Sequence, residues 1–208
     1  RTRAEPQPDG SYRLFGQKIF ITFGEHDLAP NIVHLVLARI VGAPAGVKGI
    51  SLFLMEKYPS IQDGDSGPRN DIRCTGIEHK LGIRGAPTCS ISYGDGGGAV
   101  GTLLGEPHQG LATMFLMMNS ARYATGLQGV AIAERAWQQA LAYAKQRVQG
   151  RAAGGGEESV AIIGHADVRR MLIAMKARTE AMRALCYAVA ALHDRAASES
   201  RKEVHDQV

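Results

Sequence analysis

The sequence predicts an α+β chain, an antiparallel β barrel or sandwich followed by an incomplete antiparallel helical bundle. Three observations carry this expectation. Six short β-branched or alternating runs bounded by Gly or Pro fill the first half, with no helices between them to build a parallel sheet. After "GEPHQG" the period becomes helical, and no proline occurs from Leu111 to about Val148. Two amphipathic helices then remain, and two cannot cover each other's apolar faces.

The elements follow in order. "YRLFGQKIFITF" places a Gly between two β-rich runs, and "NIVHLVLARIV" and "KGISLFLMEK" are further β-branched segments. "DIRCTGIEH", "TCSISYGD" and "AVGTLLGE" read as shorter strands, and "GDGGGAVG" reads as a flexible hairpin because it opens no helix. Leu111 to about Val148 is one long helix or two in series, and "GRAAGGGEES" is a glycine-rich loop. A second helix begins near His165, where Val168, Met171, Leu172, Met175, Met182, Leu185, Val189 and Leu192 form one apolar stripe. The polar tail "ASESRKEVHDQV" is expected to fray. Gly126 and Gly129 each cost about 1 kcal/mol against Ala inside a helix, so close helix packing is their expected reason.

Composition narrows the function. Hydrophobic residues make up 45% of the 208 residues and charged residues 21%, which is globular and leaves no apolar run long enough to span a membrane. Three dispersed cysteines offer no CxxC, and the seven histidines offer no HExxH, so no metal site is indicated and a reducing, cytoplasmic setting fits. The net charge of +4 is spread among acids without a basic run, which points to a nucleotide phosphate and away from nucleic acid. The start "RTRAEP" has no initiating Met, so the chain reads as a piece of a larger enzyme.

The order of "GQKIFIT", "KLGIRGAPT", "LLGEPHQGL", "NSARYATGLQGVAIAERA" and "ALAYAKQRVQGR" resembles the acyl-CoA dehydrogenase family across nearly the whole chain. "GEHDLAPNIVHLVLAR" resembles its larger bacterial branch, which includes 3-methylmercaptopropionyl-CoA dehydrogenases. The resemblance implies that residues 1–108 are most of the family's middle β domain. It implies that residues 109–208 are the first part of its C-terminal helical bundle. The implied activity is FAD-dependent α,β-dehydrogenation of an acyl-CoA thioester, with electrons passed to an electron-transfer flavoprotein by a dimeric or tetrameric homo-oligomer. A same-fold flavoprotein oxidase and a DNA-associated alkylation-response flavoprotein are the alternatives.

Site residues carry over one by one. Phe20, Ile21 and Thr22 occupy the positions whose backbone and hydroxyl meet the flavin ring. In "NSAR", Asn119 and Arg122 lie at i and i+3 on one helical face and correspond to the substrate-side pair. "YAKQRVQG" resembles YAxxRxxFG, which assigns Arg147 to the FAD pyrophosphate with Val148 and Gln149 beside it; Gly150 comes one residue early and Gln149 replaces the aromatic. His165 and Ala166 occupy the positions that approach the flavin nucleotide. No catalytic base is assigned within the chain. Ala121 stands where a minority of the family has Glu, Glu106 falls in the turn before the helix, and Glu134 lies more than three turns past Arg122. The usual glutamate would lie beyond Val208.

Overall fold

The computed structural model describes residues 1–59 and 67–205, with side chains through Ser198. It separates into two units, Arg1–Met117 and Met118–Val208. In the first, strands β1 (Arg3–Pro6), β2 (Tyr12–Thr22), β3 (Val33–Ile40), β4 (Ile50–Glu56), β5 (Ile72–Ile77), β6 (Thr88–Tyr93) and β7 (Ala99–Leu104) form one sheet in the order β1-β3-β4-β7-β2-β6-β5. A further pairing of β1 with β2 closes five of these strands into a barrel, and β6 and β5 extend it from the far half of β2. All pairings are antiparallel except β1 with β3.

Six of the seven strands coincide with the expected runs. The exception is β1, whose four residues end in Pro6 and leave no alternation to read. What makes it pair is the turn after it, where Asp9 accepts from the backbone N–H and the hydroxyl of Ser11 at 2.9 and 2.7 Å. The glycine run after β6 is not a hairpin. β6 and β7 do not pair; β2 lies between them, so "GDGGG" carries the chain across one strand. Gly94 there has φ +85°, and a Cβ on it would fall 2.3 Å from the Leu14 carbonyl oxygen.

Period-2 alternation turns one side of each strand into the barrel interior. Leu14, Phe53 and Met55 of the barrel strands share one buried core with Ile91 and Tyr93 of β6, and Tyr12 meets the Phe53 ring edge-on at 5.0 Å. Buried Asn70, just before β5, ties three segments together. Its Nδ2 donates to the Glu56 and Val100 carbonyls at 2.9 and 2.8 Å, and its Oδ1 accepts from the Val100 and Asp71 N–H groups at 2.8 and 2.9 Å.

Helix α1 (Gly110–Gln146) starts against the barrel. A Cβ on Gly110 would fall 2.3 Å from the Ser51 backbone, so only glycine lets the first turn sit there. The expected long helix is a single one, ending at Gln146. The second unit continues with a hairpin the sequence reading missed, β8 (Val148–Arg151) with β9 (Ser159–Ala161), and then helix α2 (Ala166–His205). The polar tail is helical through His205, and residues 206–208 lie outside the described residues. The two helices run antiparallel: Tyr123 Oη donates to the Cys186 carbonyl at 3.0 Å, Arg183 pairs with Glu134 at 2.7 Å, and Lys176 Nζ lies 4.7 Å from the Trp137 ring centre.

Their apolar stripe is mostly uncovered, as an incomplete bundle requires. Leu172 is buried, whereas Leu185 and Leu192 are 64% and 61% exposed. Nothing among the described residues packs closely on Gly126 and Gly129, since a Cβ on either would meet nothing within 4 Å. That face of α1 is open among the described residues.

Candidate functional site

The expected site residues fall into three groups. The first is the end of β2. Its pairing with β6 slips between Lys18 and Ile21, and Phe20 sits in the left-handed region at φ +60°. A β-branched or aromatic residue adopts that region only at a cost of about 1–3 kcal/mol, and such strain concentrates at ligand sites. The bulge turns Ile19 and Phe20 outward, 60% and 66% exposed, while Ile21 packs on the core and Thr22 is exposed. Phe23 is left-handed too, at φ +53°, and its N–H donates to the Pro87 carbonyl at 2.8 Å.

Residues beyond the motif hold this end in place. Glu25 pairs with Lys57 and with Arg69, the latter at 2.7 Å. Burial pushes the Glu25 carboxyl upward, but the hydrogen bonds and charges of Lys57 and Arg69 outweigh it and hold the group below its ordinary value. A depressed carboxylate stabilises the fold above its unfolded pKa and loses that contribution as pH falls through the folded one. Glu25→Gln is therefore expected to lower the thermal midpoint near pH 7 and to shrink the difference from the unsubstituted protein below about pH 4, near the ordinary Glu value. Melting curves from pH 7 to pH 3 check this; a constant difference would contradict it.

Beside the strand end lies a cleft of about 430 Å³ whose lining includes Ile21, Thr22, Phe23, His34, Tyr93 and Met114. His34 Nδ1 and Tyr93 Oη are 2.9 Å apart, both residues are buried, and His34 Nε2 is buried without a partner among the described residues. Burial pushes the imidazole pKa down, with Glu25 opposing and Lys57 adding in the same direction, which favours the neutral ring. Burial likewise pushes the Tyr93 phenol up. These two residues are 59 positions apart, and no local pattern in the sequence joins them.

The second group is Asn119 and Arg122, both exposed on α1, where Arg122 Nη1 donates to Asn119 Oδ1 at 3.5 Å. The third comprises Arg147, Val148 and Gln149, which leave the end of α1 with exposed side chains, together with His165 and Ala166 at the start of α2. Arg147 donates its backbone N–H to the Tyr143 carbonyl at 2.9 Å and accepts at its own carbonyl from the Ile162 N–H at 2.8 Å. His165 Nε2 donates to the Gln149 carbonyl at 2.8 Å, which occupies that nitrogen within the chain. Arg122 and Arg147 are not brought together: 25 residues at 1.5 Å rise separate them by about 37 Å.

A barrel with a strained, outward-aimed strand end, joined to half of a helical bundle with a cation toward each end of its long helix, defines a class of fold and not yet a protein. Residues 108–205 match the acyl-CoA dehydrogenase, C-terminal domain. The chain belongs to the acyl-CoA dehydrogenase family. It is 54% identical over 189 residues to 3-methylmercaptopropionyl-CoA dehydrogenase of Ruegeria pomeroyi, which covers 90% of this chain and 32% of that protein. Its fold superimposes on a chain from the structure of the electron transferring flavoprotein of Acidaminococcus fermentans, with a TM-score of 0.73 and 27% identity over 94% of this chain and 45% of that one. It also superimposes on an acyl-CoA dehydrogenase complexed with FAD from Bacillus anthracis, with a TM-score of 0.68 and 27% identity over 90% of this chain and 28% of that one. The chain spans about a third of the length of the first curated relatives it matches. No helix among the described residues is long and apolar enough to cross a membrane.

Proposed function

We propose that this chain forms part of an FAD-dependent acyl-CoA dehydrogenase, with residues 1–108 in the middle β domain and 109–208 in the first part of the C-terminal bundle. The observation that carries the reading is the left-handed Phe20 bulge, which presents Ile21 and Thr22 to a cleft large enough for a ring system. The fit to a flavin rests on the donors there. A strand end supplies a backbone N–H and the Thr22 hydroxyl, and exposed Phe20 supplies an aromatic surface.

In this reading FAD, when bound, supplies the acceptor for the hydride that leaves the β-carbon of the thioester, as a carboxylate takes the α-proton. The residues of this chain bind and align. Phe20, Ile21 and Thr22 fix the ring, and Arg147, with Val148, Gln149 and Ala166 nearby, holds the nucleotide through a guanidinium that stays charged at cellular pH. Asn119 and Arg122 face the acyl-CoA, one donating and accepting, the other donating only. Electrons then pass to an electron-transfer flavoprotein, and the protein works as a homo-oligomer. A cytoplasmic setting belongs to the same reading, since three dispersed cysteines without a CxxC suit a reducing compartment.

The visible spectrum of the intact protein tests this directly. A flavin spectrum that bleaches anaerobically on addition of an acyl-CoA is expected, with slow return in oxygen; fast return would make the protein an oxidase, and no flavin would end the reading. Arg122→Ala is expected to lower kcat/KM for acyl-CoA about tenfold, one charge-assisted contact of roughly 1.4 kcal/mol, with flavin content unchanged. Loss of flavin with normal turnover of the remaining holoenzyme would contradict the assignment.

A further inference from the structure

The resemblance places His165 against the flavin nucleotide, but its Nε2 is spent on the Gln149 carbonyl. That bond closes a cycle. The Arg147 carbonyl accepts from the Ile162 N–H at 2.8 Å, and the Ile162 carbonyl accepts from the His165 N–H at 3.0 Å. The His165 ring then reaches back to Gln149, two residues after Arg147. On the other side, the Arg147 N–H is held by Tyr143 at 2.9 Å, and the His165 carbonyl accepts from Arg169 at 3.1 Å in the first turn of α2. Gly150 lies beside the bond from His165 to Gln149 in the left-handed region, at φ +76°, which glycine adopts without strain.

We propose that His165 is a positioning residue that fixes the backbone around Arg147, so that the guanidinium meets its anionic partner already aligned, and that His165 makes no contact with that partner itself. The inference rests on the reading of Arg147 as the pyrophosphate residue. The physical gain is preorganisation. A long side chain on a fixed backbone segment has less freedom to lose on binding than one on a mobile hairpin. A neutral imidazole suffices, because a carbonyl needs only the Nε2–H.

A double-mutant cycle in the intact protein tests it, with FAD affinity read by fluorescence titration and backbone protection read by hydrogen exchange of the apoprotein. His165→Ala is expected to weaken FAD binding by roughly 2- to 13-fold, the range of one neutral hydrogen bond, and to speed exchange at the Ile162 amide. His165→Gln, which can present an amide N–H to the same carbonyl, restores most of both. In an Arg147→Ala background, His165→Ala changes FAD affinity by less than about twofold, because its effect passes through Arg147. Equal losses in both backgrounds would mean direct contact and overturn the proposal, as would unchanged exchange at Ile162. If Arg147→Ala leaves FAD affinity intact while His165→Ala still speeds exchange, the pyrophosphate reading is the part that fails, and the positioning role falls with it. Should His165→Ala not fold, Gly150→Ala strains the backbone beside the same bond, through its φ of +76°, and is expected to give the same coupling with Arg147; no coupling would overturn the proposal.

Discussion

Asn70→Ala is expected to destabilise the barrel unit by about 3–5 kcal/mol, the largest loss predicted for any polar residue in it. The side chain makes four hydrogen bonds to main-chain groups of Glu56, Asp71 and Val100, and it is buried. Removing it leaves two carbonyls and two N–H groups to find new partners, and each that fails costs about 1–3 kcal/mol. Asn70→Asp is expected to be no milder, since a carboxylate cannot donate to the two carbonyls. Urea denaturation followed by tryptophan-independent circular dichroism measures the effect. A loss under 1 kcal/mol would show that water replaces the amide without penalty.

Arg147→Ala is expected to weaken FAD retention by about 1.5–3 kcal/mol, or roughly 10- to 150-fold in dissociation constant. The side chain is exposed and emerges one residue past α1, where the main chain is held on both sides by Tyr143 and Ile162. Arg147→Lys keeps the charge but not the paired geometry, so it is expected to recover only part of the loss. Equilibrium dialysis of the apoprotein against FAD reads both variants, and an unchanged constant for Arg147→Ala would remove Arg147 from the site.

How much of this was legible depends on whether the causes are local. Strands β2 to β7 announce themselves because alternation and flanking Gly or Pro sit within each segment, and α1 and α2 because their period runs for many turns. The strand order did not, since "GDGGG" looks the same whether it joins neighbours or crosses β2. The hairpin β8 to β9 escaped because its strands are short and β8 is fully exposed, leaving no buried face to impose a period. The run Phe20, Ile21 and Thr22 was singled out as a candidate through family likeness alone, and nothing in the letters announced that Phe20 is left-handed. The partners that steady the region were invisible for a different reason: Glu25 meets Lys57 and Arg69 across 32 and 44 residues, and His34 meets Tyr93 across 59.

The hairpin has one more consequence, for the history and engineering of the chain. Its base is fixed by main-chain bonds and by His165, while Gly154, Gly155 and Gly156 at its tip are exposed and all at positive φ. Doubling a flexible loop costs only about 0.6 kcal/mol in closure entropy. The segment between Arg151 and Ser159 is thus where this chain can lengthen, shorten or accept an inserted epitope while Arg147 keeps its place.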